Sequence, residues 1–277
     1  MRIAIISDIH GNLEALKTVL KDIKTRNIDK IYCLGDIIAK GSHLQECVDL
    51  VRENCEVVIK GNCDLFFSRE HNTEGYKEQL IKMIEYYKSK MNEETMNYLI
   101  NLPYCHEFYL SGRLVRLVHA HPEEIYKFVG NIDRLENFYS LFLPSENTIS
   151  QEKADILVYG HIHTPYVQKI YNRYILNAGS VGNSLDVFRN DNKDGTVKNT
   201  SLANYLILSG NLDSKDLDAS FSFEIVNVSY NIEKELENSK DNLELDALAK
   251  EIKEGIYRDT NKLNKTFVDR GIDKDSI

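Results

Sequence analysis

The first half of the chain alternates short apolar runs with segments of helical period. The run RIAIISD has the length of a strand, and after Gly11 the apolar residues Leu13, Leu16, Leu20 and Ile23 recur at helical spacing. Two further strand-like runs, DKIYCLGD and CEVVIKGN, enclose the helical-period segment LQECVDLVREN. Strand–helix–strand alternation of this kind predicts parallel strand pairing with right-handed crossovers.

Residues 64–103 break this alternation and predict a helical insertion, because YKEQLIKMIEYYKSKM and NEETMNYLINL both have helical spacing. The alternating runs HEFYL and RLVRLVHA follow, and the Ser-Gly pair between them is typical of a β-hairpin turn. Residues 122–153 predict a second, irregular insertion, and ADILVYG predicts another strand. The segment YVQKIYNRYILNAG predicts a second hairpin that turns at Asn172 and Arg173. The change from parallel units to hairpins predicts mixed sheets.

The last third of the chain predicts a strand pair followed by helices. After Gly182 the polar run NDNKDGTVKNT predicts a loop, and SLANYLILSG and SFEIVNVSY predict two strands. Residues 231–277 are acidic with helical spacing, and roughly the last fifteen are expected to be poorly ordered. The pattern therefore predicts one domain over residues 1–230 and a C-terminal helical extension over residues 231–277.

The composition of the 277-residue chain favours an ordinary soluble globular protein, with 42% hydrophobic and 28% charged residues. No apolar run approaches the roughly 20 residues that span a bilayer, and the N-terminus lacks a signal-peptide layout. Five cysteines without a C-x-x-C pair favour a reduced, cytoplasmic compartment. The net charge of −9 opposes non-specific binding to nucleic acid or to an anionic membrane. An anionic substrate would therefore need positive charge from another source, such as bound metal.

Five predicted strands end in aspartate, asparagine or histidine side chains. The residues concerned are Asp8, His10, Asp36, Asn62, His119, His121, His161 and His163. If the extended backbone of the first strand continues, Asp8 and His10 point to the same side. A single Asp-x-His, Gly-Asp or Gly-Asn is more typical of a turn or a helix cap. Repetition at successive strand ends instead predicts a metal site, because the carboxyl ends of strands form the ligand crevice of open α/β sheets.

Six motifs of the chain, taken in order, resemble those of the calcineurin-like metallophosphoesterases: SDIHGN, LGD, GNCD, HAHP, GHIHTP and NAGSVG. NAGSVG is similar to the NPGSVG of the bacterial phosphodiesterase branch, with Ala178 in place of the proline. The resemblance covers about residues 1–185 and points towards enzymes similar to diadenosine polyphosphate hydrolases. It implies an α/β fold in which two packed mixed β-sheets, flanked by helices, form a four-layer sandwich.

The resemblance also implies two metal ions that share Asp36 as a bridging ligand. The first ion would be held by Asp8, His10, Asp36 and His163, and the second by Asp36, Asn62, His119 and His161. Carboxylate, amide and imidazole donors without an obligatory thiolate suit Mn, Fe or Zn. Attack on phosphorus would come from a hydroxide that bridges the two ions, and Asn62 and His161 would also contact the phosphate.

Two departures from the family pattern leave the general acid open. Related protein phosphatases and dinucleotide hydrolases have histidine where this chain has Cys63, and arginine where it has Lys40. His43 is the candidate substitute acid, with an ordinary exposed loop histidine as the alternative, and His121 is a weaker candidate. Cys63 is either a small buried apolar residue or a reactive thiolate near metal. A leaving group of low pKa, such as a nucleotide phosphate, would need help from an acid least.

Aromatic residues of the helical insertion would either stack on a nucleobase or pack against the domain. These residues are Phe66, Phe67, Tyr76, Tyr86 and Tyr87.

The expected function is metal-dependent hydrolysis of phosphodiester or phosphoanhydride bonds in a small phosphorylated substrate, such as a nucleotide or dinucleoside polyphosphate. The alternatives are a phosphoprotein phosphatase or phosphomonoesterase, and a non-catalytic metal-binding scaffold. A metallohydrolase of the H-x-H-x-D-H type is excluded, because this chain has Glu123 and Glu124 where that motif needs Asp and His.

Overall fold

Two five-stranded sheets lie at the centre of the computed structural model, which describes residues 1–185 and 202–255. The strands are β1 (Arg2–Ile6), β2 (Lys30–Cys33), β3 (Val57–Val58), β4 (Cys105–Leu110), β5 (Arg113–Val118), β6 (Ile156–Tyr159), β7 (Tyr166–Ile170), β8 (Arg173–Asn177), β9 (Ala203–Ser209) and β10 (Ser222–Val228). The helices are α1 (Leu13–Ile23), α2 (Leu44–Asn54), α3 (Asn62–Ser68), α4 (Glu78–Ser89), α5 (Glu93–Ile100), α6 (Leu135–Ser140), α7 (Ile232–Asn238) and α8 (Leu245–Glu254).

The first sheet has the strand order β10-β9-β1-β2-β3. β1 pairs with β2 in parallel, with Ile5 opposite Tyr32, and β2 pairs with β3 in parallel. β9 pairs with β1 and with β10 in antiparallel orientation. The predicted parallel units and the predicted mixed sheet are both confirmed.

The second sheet has the order β4-β5-β6-β8-β7, with hairpins at both edges and parallel pairs in the middle. The predicted turn of the second hairpin is wrong by one residue. Tyr171 and Asn172 are the loop residues, with φ angles of 52° and 61°, and Ile170 pairs with Arg173. Positive φ at both loop positions is typical of a type I′ two-residue hairpin, and this register keeps Ile170 on the buried face.

The apolar run of β1 is buried on both faces, which explains why it does not alternate with polar residues. Ile3 and Ile5 pack between the sheets, against residues of the second sheet such as Val158. Ala4 and Ile6 face the opposite way and join the cluster formed by the helices α1 to α5. The outer face of the second sheet is covered by the segment 122–153, including α6. The chain therefore has the α/β architecture that was predicted, with two packed mixed sheets flanked by helices.

The segment predicted as a helical insertion contains α3, α4 and α5, and the first of these begins at Asn62 rather than at residue 64. Its first helix is capped by Gly61, whose N–H donates to the Asp64 side chain at 3.0 Å. The predicted C-terminal helices are α7 and α8, and α7 packs on α1. The division of the chain at residue 230 stays a prediction.

Two further predictions lie outside the described residues: most of the polar loop after Gly182, and the poorly ordered end of the C-terminal extension. Among the described residues, no helix is both long and apolar enough to cross a bilayer.

Candidate metal centre

Left-handed backbone conformations concentrate at the strand ends where the predicted ligands lie. Positive φ angles occur at Asp8 (53°), His10 (50°), Asp36 (50°), His161 (65°) and His163 (62°). Such angles are uncommon for residues other than glycine, and they cluster at functional sites. β1 ends at Ile6, so the premise that its extended backbone continues through His10 is wrong. Tight turns, not strand alternation, bring Asp8 and His10 together.

The loops after β1, β2 and β3 lie against one another. The Asp8 N–H donates to the carbonyl of Gly35 at 3.0 Å, and the His10 N–H donates to that of Asp36 at 3.0 Å. Gly61 approaches Asp36 so closely that a Cβ atom there would lie 2.1 Å from the Asp36 nitrogen. The glycine before Asn62 is therefore needed for space, and it lets two ligand-bearing loops meet.

Three imidazoles present the same edge to the centre of this region. In each of them Nδ1 lies within hydrogen-bond distance of a main-chain carbonyl oxygen. The Nδ1···O distances are 3.1 Å from His10 to Ile38, 2.8 Å from His119 to Leu34 and 2.6 Å from His163 to Asn183. A carbonyl can only accept, so Nδ1 carries a proton in each ring. In a neutral ring Nε2 is then left as an acceptor, which is the usual arrangement for metal-binding histidines.

Acceptor atoms face one another without a donor between them. Nε2 of His10 and Nε2 of His163 are 3.1 Å apart, although both rings donate through Nδ1. Asp8 Oδ1 lies 3.2 Å from His163 Nε2, and it is buried without a hydrogen-bond partner among the described residues. Two ring nitrogens and a carboxylate oxygen at these distances can all bind one cation. The donor set of Asp8, His10 and His163 therefore fits a metal ion.

A second group of donors adjoins the first through Asp36. Its Oδ2 is 3.8 Å from His10 Nε2 and 3.5 Å from His119 Nε2. Asn62 Oδ1 in turn lies 3.0 Å from His119 Nε2 and 2.9 Å from His161 Nδ1. The structure thus brings together all the residues of the predicted ligand set, with Asp36 between the two groups.

The charges of the buried carboxylates are stabilised by neighbouring histidines. Burial alone would raise the pKa of Asp8, but the interactions with His163 and His119 together hold the pKa below its usual range. Burial would also raise the pKa of Asp36, but His119, His10 and the backbone N–H of Cys63 together lower it. Both side chains are therefore ionised at neutral pH, which is the form that binds metal.

The imidazoles divide into neutral and charged forms. Burial, with Lys40, lowers the pKa of His10 to about 3, and burial, with His119, lowers the pKa of His161 to about 4. Burial would lower the pKa of His119 as well, but the Asp36 carboxylate raises it to about 10. A cation bound at Asp36 would compete with this proton.

Asp64 is a functional residue that sequence reasoning did not assign. Its carboxylate is fully buried and accepts hydrogen bonds from four backbone N–H groups, which ties the loop after β2 to the start of α3. The donors are Gly61 (3.0 Å), Asp36 (2.7 Å), Ile37 (2.9 Å) and Ile38 (3.3 Å). An aspartate three residues after the glycine that caps a helix is a recognisable signal for a capping interaction.

The two histidines considered as general acids lie away from this centre. His43 caps α2; its Nδ1 is 3.7 Å from Glu46, and its buried Nε2 has no hydrogen-bond partner among the described residues. His121 Nε2 lies 2.9 Å from the Ser140 hydroxyl, on the side of the second insertion. The structure does not bring either ring to the predicted ligands.

A cavity of about 220 Å³ opens onto the donor cluster. Lys40 and Cys63 contribute to its lining beside the ligands, and burial raises the pKa of the Cys63 thiol well above its ordinary value. The interpretation of Cys63 as an inert apolar residue therefore fits better than a reactive thiolate. Phe128, with Ile162 and Leu185, forms an apolar wall.

The aromatic residues of the helical insertion do not line this cavity in the described part of the chain. Phe67 and Tyr87 are buried, and their ring centroids lie 4.6 Å apart. Phe66 packs on Phe67 and on His71. These side chains pack against the domain, which is one of the two predicted alternatives.

Comparisons with known proteins place this geometry in a family. The family model for the calcineurin-like phosphoesterase superfamily domain matches residues 1–193. The uncharacterized protein MJ0912 of Methanocaldococcus jannaschii is 35% identical over 255 residues, which cover 85% of this chain and 90% of that protein.

Two solved structures share the fold. A metallophosphoesterase from Sphaerobacter thermophilus has a TM-score of 0.67 and 23% identity, covering 92% of this chain and 99% of its own. The hypothetical protein PH1004 from Pyrococcus horikoshii OT3 has a TM-score of 0.67 and 16% identity, with the same coverage. On the match of the family model and the archaeal relative, this chain belongs to the calcineurin-like phosphoesterase superfamily.

Proposed function

We propose that this protein is a dinuclear metal-dependent phosphoesterase that hydrolyses phosphodiester or phosphoanhydride bonds of a nucleotide or dinucleoside polyphosphate. The family implies divalent metal ions and phosphoester hydrolysis. The observation that carries the proposal is the pair of acceptor nitrogens of His10 and His163, 3.1 Å apart beside the unpartnered Asp8 oxygen. A bound cation would satisfy all three atoms at once.

The chain offers two sets of donors for two ions. Asp8, His10, Asp36 and His163 would hold one, and Asp36, Asn62, His119 and His161 would hold the other. When bound, the ions would supply Lewis-acid stabilisation of phosphoryl oxygens and lower the pKa of a coordinated water. The donor atoms are carboxylate, amide and imidazole groups, which suit Mn, Fe or Zn.

The residues around the donors would bind and orient the substrate. Lys40 adds a positive charge to the cavity wall, in a chain whose net charge is −9. The side chains of Asn62 and His161 line the cavity, where they can contact a phosphoryl oxygen. The pairing of Asp36 with the backbone N–H of Cys63 at 2.8 Å holds the carboxylate in its orientation towards the centre.

The cavity supports a substrate with an organic group next to the phosphate. Phe128, Ile162 and Leu185 provide an apolar surface beside the polar donors. A volume of about 220 Å³ accommodates a phosphoryl group and part of its substituent. His43 and His121 lie away from the cavity, so a leaving group that needs little help from an acid, such as a nucleotide phosphate, fits this site best.

A substrate and metal screen tests the proposal. The purified chain, loaded in turn with Mn, Fe and Zn, should hydrolyse a bis(nitrophenyl) phosphate diester, nucleotides or dinucleoside polyphosphates faster than nitrophenyl phosphate or phosphopeptides. A strong preference for the monoester would favour a phosphomonoesterase. A protein that hydrolyses none of these substrates with any of the metals would favour the non-catalytic scaffold.

Asp36→Ala is the decisive variant. It should abolish hydrolysis with an unchanged circular dichroism spectrum, because Asp36 is the residue shared by both donor groups. Asp213→Ala removes an exposed carboxylate far from the site and is the matched control. Full activity of Asp36→Ala would refute the proposed bridging role.

A further inference from the structure

Helix α8 places a charged side chain in the interior of the protein. Glu251 has no solvent exposure, although it lies beyond residue 193, where the match to the family model ends. A buried carboxylate is costly unless it is paired and hydrogen-bonded. The residues that it contacts therefore indicate the role of this buried carboxylate.

The partners of Glu251 in the described part of the chain lie beside the candidate metal centre. Its Oε2 accepts a hydrogen bond of 2.9 Å from the side-chain amide of Asn183, which is also fully buried. The same oxygen is 3.9 Å from the ammonium group of Lys40, which lines the cavity and offsets the negative charge. One carboxylate oxygen of α8 thus reaches two segments of the site.

Asn183 connects Glu251 to two predicted ligands. Its main-chain carbonyl accepts the Nδ1 proton of His163 at 2.6 Å. Its N–H donates to the Ser180 hydroxyl at 2.8 Å, and that hydroxyl donates to the Asp8 carbonyl at 2.6 Å. A shift of Asn183 would therefore turn the His163 ring and loosen the loop that carries Asp8.

The C-terminal segment also holds the backbone beside Lys40. Lys40 has a φ angle of 60°, and its carbonyl accepts a hydrogen bond of 2.7 Å from the side chain of Asn242. The contacts of α8 and of the turn before it therefore converge on the same side of the cavity.

From these contacts we infer that Glu251 is a positioning residue of the active site. Through Asn183 it fixes the orientation and tautomer of His163. The C-terminal helices are then part of the metal centre. This role rests on the proposed function, since it assumes that His163 binds metal. Side chains that orient metal-binding histidines typically contribute tenfold to a hundredfold to metal affinity.

The test measures metal binding and the His163 tautomer rather than catalysis. Glu251→Ala should weaken binding of Mn or Zn about tenfold or more in isothermal titration calorimetry. Glu251→Gln keeps an acceptor for Asn183 and should stay within about threefold of the wild type. Glu237→Ala, an exposed carboxylate in α7, is the matched control and should leave the affinity unchanged.

Asn183→Ala separates positioning from a merely structural role. It removes the link to Glu251 while keeping the carbonyl that faces His163, so it should weaken metal binding about as much as Glu251→Ala. The double variant should be no worse than either single variant, because both break one connection. Additive losses would overturn the inference.

Nuclear magnetic resonance of ¹⁵N-labelled histidine, on the metal-free protein, supplies a readout independent of metal. The Nδ1-protonated form of His163 should dominate in the wild type and be less populated in Glu251→Ala. Unchanged metal affinity together with an unchanged tautomer would overturn the inference, even if Glu251→Ala were less stable. A wild type that binds metal but hydrolyses no phosphoester would refute the proposed function and leave this inference standing.

Discussion

Removal of Arg116 should destabilise the protein more than removal of an exposed ion pair does. Arg116 lies in β5 with no solvent exposure, and its Nε is 2.5 Å from the Glu107 carboxylate. Its other nitrogens donate to the carbonyls of Phe142, Leu143 and Glu152 at 3.1, 3.1 and 2.8 Å. The guanidinium therefore ties the second insertion to the strand that leads to His119.

The expected loss of stability follows from the groups that Arg116→Met leaves unpaired. The Glu107 side chain is 4% exposed, so the variant leaves a buried carboxylate whose ion pair is gone, which costs about 3–5 kcal/mol. Three carbonyl groups lose their donors as well, although loop carbonyls can be rehydrated in part. A loss of at least about 3 kcal/mol is a large part of the roughly 5–15 kcal/mol that stabilises an ordinary domain.

Urea unfolding, followed by circular dichroism on the metal-free protein, measures this loss as a shift in midpoint at constant slope. Arg52→Met is the matched control, because Arg52 pairs with Glu94 at 2.9 Å on the surface and should cost at most about 1 kcal/mol. The double variant Arg116→Met, Glu107→Gln should recover about 2 kcal/mol, since no unpaired charge remains. If Arg116→Met were no less stable than Arg52→Met, the reasoning about the buried pair would be refuted.

Three further outcomes are expected. Gly160→Ala should weaken metal binding about tenfold, because its Cβ would lie 2.0 Å from Ser7 Oγ and 2.4 Å from Asp8 Oδ2; unchanged calorimetric affinity would contradict this close packing. Phe128→Ala should raise KM for a nucleotide about tenfold and leave kcat similar, and an equal rise for nitrophenyl phosphate would exclude a contact with the base. Burial raises the pKa of Glu235, so this carboxyl group holds its proton more tightly in the folded protein than in the unfolded chain. The stability of the wild type relative to Glu235→Gln should therefore fall as the pH rises above 4.5. A difference in urea midpoint that does not vary with pH would contradict this.

Local patterns determined the elements of this protein and the residue types of its site. The run from Ile3 to Ile6 has no polar alternation because both of its faces are buried, and the helical spacing after Gly11 marks the apolar face of α1. The ligand candidates were visible because each follows a strand, and parallel strands direct their ends to one edge of a sheet. Periodicity and the order of elements along the chain are properties that a sequence displays directly.

The tertiary structure alone decided which of these residues meet and what holds them. His10 and His163 are far apart along the chain, and no local signal places their Nε2 atoms 3.1 Å apart. The register of the hairpin that turns at Tyr171 and Asn172 also depends on the burial of Ile170 in a cluster with Leu141 and Phe142. Glu251 is the clearest case: its burial against Asn183 is invisible in an acidic helix of ordinary spacing. Long-range contacts depend on how separate elements pack, because each local pattern is compatible with many arrangements of its neighbours.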